Sequence, residues 1–287
     1  MFDERMIPRS FRLAFGSLLA LALGCSETPL EDSVTETAAE PAVSNRNVGV
    51  HCTDAYQALP GGTPWLTPTG WTSCDRFLSE IKKEASSEFY YDLKGKKYFW
   101  ENGGDGDDNS LEDVDLFFSV THGGAWHPEK VEWGMWDYQT LAYSNAMKFG
   151  DERRGLSVFA TYSCHTAEWT TADVDGNGVW DTWQRLQPMF SGGLRAHLSS
   201  QSIIYYGSHN DVGKIFAKYL NGGYSLRDAW YFGLSSTPDA NDVAVIFTGK
   251  NATDCANRRD TMTWDNFDTY PRLTTFGNMC TAYWTDV

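Results

Sequence analysis

Two apolar runs dominate the middle of the chain, residues 115–120 (DLFFSV) and 157–161 (SVFAT). Each is short and β-branched or aromatic, so each predicts a buried strand. Both run directly into residues able to do chemistry: Thr121-His122-Gly123-Gly124 and Tyr162-Ser163-Cys164-His165. Further strands are predicted at 48–55, 202–206 and 243–247, and a strand or hairpin at 89–100, where aromatic residues alternate around Lys94-Gly95-Lys96. Helical periodicity appears at 73–84, with Phe77, Leu78 and Ile81 on one face, and at 182–190. It recurs at 211–220, where Val212, Ile215, Phe216, Tyr219 and Leu220 form a stripe ended by Gly222-Gly223. Ser225 to Asp228 reads as a capping box that opens another helix. Strands alternating with helices predict an α/β layer fold with a mostly parallel central sheet. Beyond Gly249 the pattern dissolves into a polar, aromatic stretch.

In an open parallel sheet the carboxyl ends of neighbouring strands face one crevice. His122 and Cys164, 42 positions apart, are therefore expected to meet there. A thiol is a strong nucleophile only as thiolate, and an adjacent imidazole can take its proton and later deliver it to a leaving amine. Gly123 and Gly124 allow a tight turn, so that the Gly123 and Cys164 amides become candidate donors to an oxyanion. The competing reading is structural: free cysteine is among the most buried residue types, and a histidine often just secures a loop.

The two blocks FFSVTHGG and FATYSCHT resemble those of the caspase-like superfamily of cysteine peptidases, which includes caspases, legumains, gingipains and clostripain. Ser163 stands where alanine is commoner, and Tyr162 where an acidic or amide residue often stands. The layout is also similar to an uncharacterised bacterial lipoprotein family with the same His-Gly and Ser-Cys blocks. The resemblance implies a three-layer sandwich over about residues 46–250, with His122 as general base and acid and Cys164 as nucleophile. It implies a cysteine endopeptidase acting on peptide or protein substrates.

The flanks add an address. Arg5, Arg9 and Arg12 precede an apolar run at 13–23 that is too short to span a membrane, and Leu21-Ala22-Leu23-Gly24-Cys25 follows. Residues 1–24 resemble a bacterial lipoprotein signal, with lipid attached at Cys25 and Ser26 favouring the outer membrane, periplasmic or surface-exposed. Residues 25–45, poor in large apolar side chains, read as a flexible tether. Residues 46–250 are expected as the α/β domain and 251–287 as a C-terminal extension.

Asp173-Val174-Asp175-Gly176-Asn177-Gly178-Val179-Trp180-Asp181 sets oxygens at alternate positions around glycine, the pattern a calcium ion needs. Asp173, Asp175, Asn177, the Val179 carbonyl and Asp181 are the expected ligands, on a loop that closes on its ninth residue as in short extracellular calcium loops. Structural Ca2+ is the expected cofactor. The acidic stretch at 101–113, with Asp105, Asp107, Asp108 and Asn109, lacks ordered ligand spacing and reads as a solvated loop. His127 and His165 lack a third partner for zinc.

Of six cysteines, setting aside Cys25 and Cys164 leaves four, for which three pairings exist. The local pairs Cys52–Cys74 and Cys255–Cys280 are favoured over free buried thiols, since each closes a short loop at one end of the domain. With 41% hydrophobic and 15% aromatic residues the chain can bury a sizeable core. Its formal charge of −15 argues against a nucleic-acid surface, which needs clustered Lys and Arg. The aromatic excursion with Trp133, Trp136 and Tyr138 is expected in the core rather than in a cleft. A reading from another class is a non-catalytic, calcium-stabilised surface lipoprotein that binds glycan or protein through some of its 12 Trp and 14 Tyr residues.

Overall fold

The computed structural model of the chain describes residues 46–53, 70–89, 100–101, 111, 113–127, 129–134, 141–151, 155–170, 176, 181–202, 204, 211–236 and 242–285. Cys25, the expected lipid acceptor, the expected tether, most of 89–113 and most of the expected calcium loop lie outside these residues.

The elements run β1 (Asn47–Cys52), α1 (Gly70–Glu80), β2 (Ala85–Phe89), β3 (Leu116–Val120), β4 (Gly123–His127), β5 (Lys130–Gly134), β6 (Leu141–Tyr143) and β7 (Val158–Tyr162). They continue with α2 (Asp181–Phe190), β8 (Ala196–Ser200), α3 (Val212–Asn221), α4 (Leu226–Ser235), β9 (Asp242–Gly249), α5 (Ala252–Thr261) and β10 (Asn278–Thr285). The main sheet has seven strands in the order β10-β9-β8-β7-β3-β1-β2. From β2 to β8 every pairing is parallel, while β9 runs antiparallel to both β8 and β10. The chain starts in β1, adds β2 on one side, then crosses back to place β3 on the other. The crevice at such a reversal lies at the carboxyl ends of the strands.

Strand alternation sorts side chains into two cores. Val48, Val50, Phe118, Val120, Val158 and Ala160 face α1, α3 and α4, whose Phe77, Phe216 and Trp230 fill that layer. Phe117, Phe159 and Ile246 face the other way, against α2 and a small antiparallel sheet in the order β4-β5-β6. The result is a three-layer α/β sandwich. The helices on the first face pack closely: a side chain on Gly213 of α3 would collide with the Ser73 carbonyl of α1, and the Gly213 amide instead donates to Ser73 Oγ at 3.2 Å. The expected cap is present, with Ser225 Oγ accepting from the Asp228 amide at 3.1 Å at the start of α4.

The structure bears on three expectations. A buried strand lies at Ala196–Ser200, ahead of the one expected at 202–206; of that stretch only 202 and 204 are among the described residues, and 204 forms a single bridge. AHLSS is polar yet wholly buried, because His197, Ser199 and Ser200 find carbonyl partners at Thr166, Thr161 and Asp242. After His122 the described residues form the small sheet β4 to β6, and Trp133 lies fully buried in the second core as expected, while Trp136 and Tyr138 lie outside the described residues. Finally, the stretch beyond Gly249 is part of the architecture: α5 packs on the sheet, and β10 pairs along the whole of β9. The sulfurs of Cys52 and Cys74 and of Cys255 and Cys280 are bonded, with Cα separations of 6.2 and 5.9 Å. The first joins the carboxyl end of β1 to α1, the second α5 to β10.

Candidate active site

β3 and β7 are adjacent and parallel, with Val120 paired to Tyr162. His122 and Cys164 each follow that pair by two residues, so they leave neighbouring strands at the same end of the sheet, where strand spacing is about 4.8 Å. The alignment persists past the strands, since the Thr121 amide donates to the Tyr162 carbonyl at 3.4 Å. Beyond it the backbones come still closer. A Cβ on Gly123 would lie 2.8 Å from the Cys164 carbonyl oxygen and overlap the side chains of Ser163 and Thr166. Glycine after the histidine is therefore required by contact with the cysteine turn.

That turn is sharply bent. His165, directly after the cysteine, has φ +53°, a left-handed conformation that strains any residue with a side chain. The neighbouring strand end holds it there. The His165 amide donates to the Ser202 carbonyl at 3.0 Å, the Ala167 amide to the Ser200 carbonyl at 3.0 Å, and the His165 ring Nδ1 lies 3.2 Å from the Gln201 carbonyl. His165 thus anchors the turn. Beneath it, His197 Nε2 lies 2.8 Å from the Thr166 carbonyl.

The Cys164 sulfur is half-buried and engages one residue that sequence reasoning missed. The Ile204 amide donates to Sγ at 3.3 Å, and the thiol lies 3.4 Å from the Ile204 carbonyl. No sequence signal marks such a residue, since the contacting groups are main-chain. The amide favours thiolate and the carbonyl favours thiol. Burial outweighs the hydrogen bonds and pushes the Cys164 thiol above its ordinary value. Burial likewise pulls His122 down to about 4. At neutral pH both groups are therefore uncharged, a thiol on one strand end and an imidazole on the next.

Of the two expected oxyanion donors, the ladder fixes the direction of one. Gly134 donates to the His122 carbonyl at 2.9 Å, and the alternation of an antiparallel ladder then turns the Gly123 amide away from β5. Arg185 of α2 ties the small sheet to the loop after the cysteine turn. Its Nε donates to the His127 carbonyl at 2.8 Å, and its guanidinium lies 3.5 Å from Glu168 and 3.7 Å from Asp181.

Of the expected calcium ligands, Asp173, Asp175, Asn177 and Val179 lie outside the described residues. Gly176 has φ +71°, the left-handed turn a tight cation loop uses. Asp181 is the buried first residue of α2, with its carboxylate shared with Arg185. Among the described residues no group of three or more His, Cys, Asp or Glu side chains is placed to hold a metal ion. No described helix is long and apolar enough to cross a membrane.

Fold and site together define a class: a three-layer α/β sandwich carrying a thiol and an imidazole on adjacent strand ends. The chain belongs to the family described as a domain of unknown function, DUF6345, whose sequence profile matches residues 69–286. That span includes α5 and β10, so the C-terminal elements are part of the family's domain. No curated protein matches the chain.

Proposed function

We propose that this protein is a cysteine-dependent peptidase held at the bacterial envelope by lipid on Cys25. The observation that carries the reading is the register of β3 with β7, which brings His122 and Cys164 out side by side. The motif resemblance to caspase-like peptidases points the same way.

In this mechanism the Cys164 sulfur attacks the scissile carbonyl while its proton passes to His122, forming the S–C bond and an oxyanion held by the Gly123 and Cys164 amides. The imidazolium then protonates the departing amine as the C–N bond breaks. Water, deprotonated by His122, cleaves the thioester and releases the acid and the thiol. The neutral resting pair suits this sequence, because the imidazole starts as a free base. A calcium ion on the loop 173–181 would order the wall beyond Cys164 without entering the chemistry.

The test is cleavage of a peptide library by wild type, Cys164→Ala and His122→Ala, with and without calcium. Wild type is expected to cleave and Cys164→Ala to be inert. His122→Ala should lose a factor of about 10² to 10⁴, the usual size of a general acid–base contribution. No cleavage by wild type, or undiminished cleavage by Cys164→Ala, overturns the proposal.

A further inference from the structure

Below the Cys164 turn, on the face of the sheet covered by β4 and β5, buried polar groups gather without partners. His51 of β1 is paired in register with Ser119 of β3, and Ser119 with Thr161 of β7, so the three lie in one row across adjacent strands. Ser163 stands one step above Thr161 on the same face. Trp100 meets His51 edge-on at 5.3 Å and Phe159 at 5.6 Å. Trp133 lies 5.6 Å from Phe159 and 6.2 Å from Trp100, so the two indoles roof the row. Six atoms here are buried with no hydrogen-bond partner among the described residues: His51 Nδ1, Ser119 Oγ, Thr161 Oγ1, Ser163 Oγ, Trp100 Nε1 and Trp133 Nε1. Buried polar groups in folded proteins are almost all paired, with protein or with ordered water, and so many orphans in one place indicate an occupant.

The lining chemistry selects it. The indoles only donate, so the occupant must accept. The hydroxyls and the imidazole can donate or accept, so it gains most if it does both. None of these described groups is a lysine or arginine, and burial holds His51 near 3, neutral at ordinary pH. An anion would therefore lack a countercharge, whereas water meets every requirement.

We propose that buried water bridges the orphaned groups of β1, β3 and β7 and the indoles of Trp100 and Trp133, an internal hydration site. At about three hydrogen bonds per buried water, six groups call for about two or more molecules. Through Ser163, which abuts Gly123, this cluster forms the bed on which the two strand ends carrying His122 and Cys164 rest. The inference is independent of whether those residues catalyse a reaction.

The experiment is water-selective NMR on the full chain, reading transfer from long-lived water to the Trp100 and Trp133 indole protons, assigned by Trp→Phe variants. Cross-peaks at both indoles are expected. Thr161→Val should weaken them and lower the thermal midpoint, with Thr161→Ser restoring both. Absent cross-peaks, or a higher midpoint in Thr161→Val, would mean a dry void and overturn the proposal. Indole shifts that saturate with bromide would overturn it in favour of an anion site.

Discussion

Acid should unfold this protein through its buried imidazoles, and His197 is where the effect can be isolated. Its ring is fully buried, stacked on Phe159 at 5.2 Å, with Nε2 at 2.8 Å from the Thr166 carbonyl and Nδ1 at 3.3 Å from the Phe159 carbonyl. A neutral imidazole carries one ring proton, which serves the shorter contact. Burial holds the folded group down at about 4 against 6.5 for an exposed histidine. The folded value is the lower one, so the unfolded chain binds the extra proton. Stability is complete above about pH 6.5 and is lost as pH falls towards about 4, at about 1.4 kcal/mol per pH unit for one group. Over the whole window His197 accounts for about 3 kcal/mol. His51, held at about 3, acts in the same direction and contributes about 5 kcal/mol. Their sum, about 8 kcal/mol, is comparable with the entire stability of a typical domain. Urea unfolding followed by tryptophan fluorescence, at intervals from about pH 7 to about pH 4.5, measures the slope. His197→Gln keeps an N–H donor for Thr166 and does not titrate, so its slope should fall by close to one proton. An identical slope in variant and wild type would refute the assignment of that proton to His197.

Two further outcomes are expected. Gly123→Ala places a methyl against Ser163 and the Cys164 carbonyl, and should cost about 1–3 kcal/mol by overpacking. Adding Ser163→Ala should return part of that loss in a double-mutant cycle, whereas strict additivity would mean the two residues do not touch. If the loop 173–181 binds calcium, chelator should lower the thermal midpoint of wild type and leave a combined Asp173→Asn and Asp175→Asn variant unmoved; a wild-type midpoint indifferent to chelator removes the ion.

Hydrophobic periodicity revealed β3, β7, α3 and β9 because each buries a continuous apolar run or stripe, the one property pattern reading detects. It missed β8, whose buried polar side chains are satisfied by carbonyls that belong to distant residues. It missed α5 for a related reason: this helix buries only Cys255 and Arg258, and the arginine is neutralised by Asp254 at 3.0 Å and the Pro271 carbonyl at 3.0 Å. β10 lies at the sheet's edge, half exposed, and so shows only a faint alternation. The His122 and Cys164 placement was readable because strand ends in a parallel sheet share a crevice. Ile204 was not, because a main-chain amide carries no trace of residue identity.

The protonated state of Cys164 also bears on its survival. Peroxides and disulfides react with the anionic form of sulfur, so a thiol that burial keeps protonated is oxidised slowly. Conditions that close Cys52–Cys74 and Cys255–Cys280 can therefore leave Cys164 reduced, and sulfenic acid should form there only after something disturbs its shelter beside Ile204.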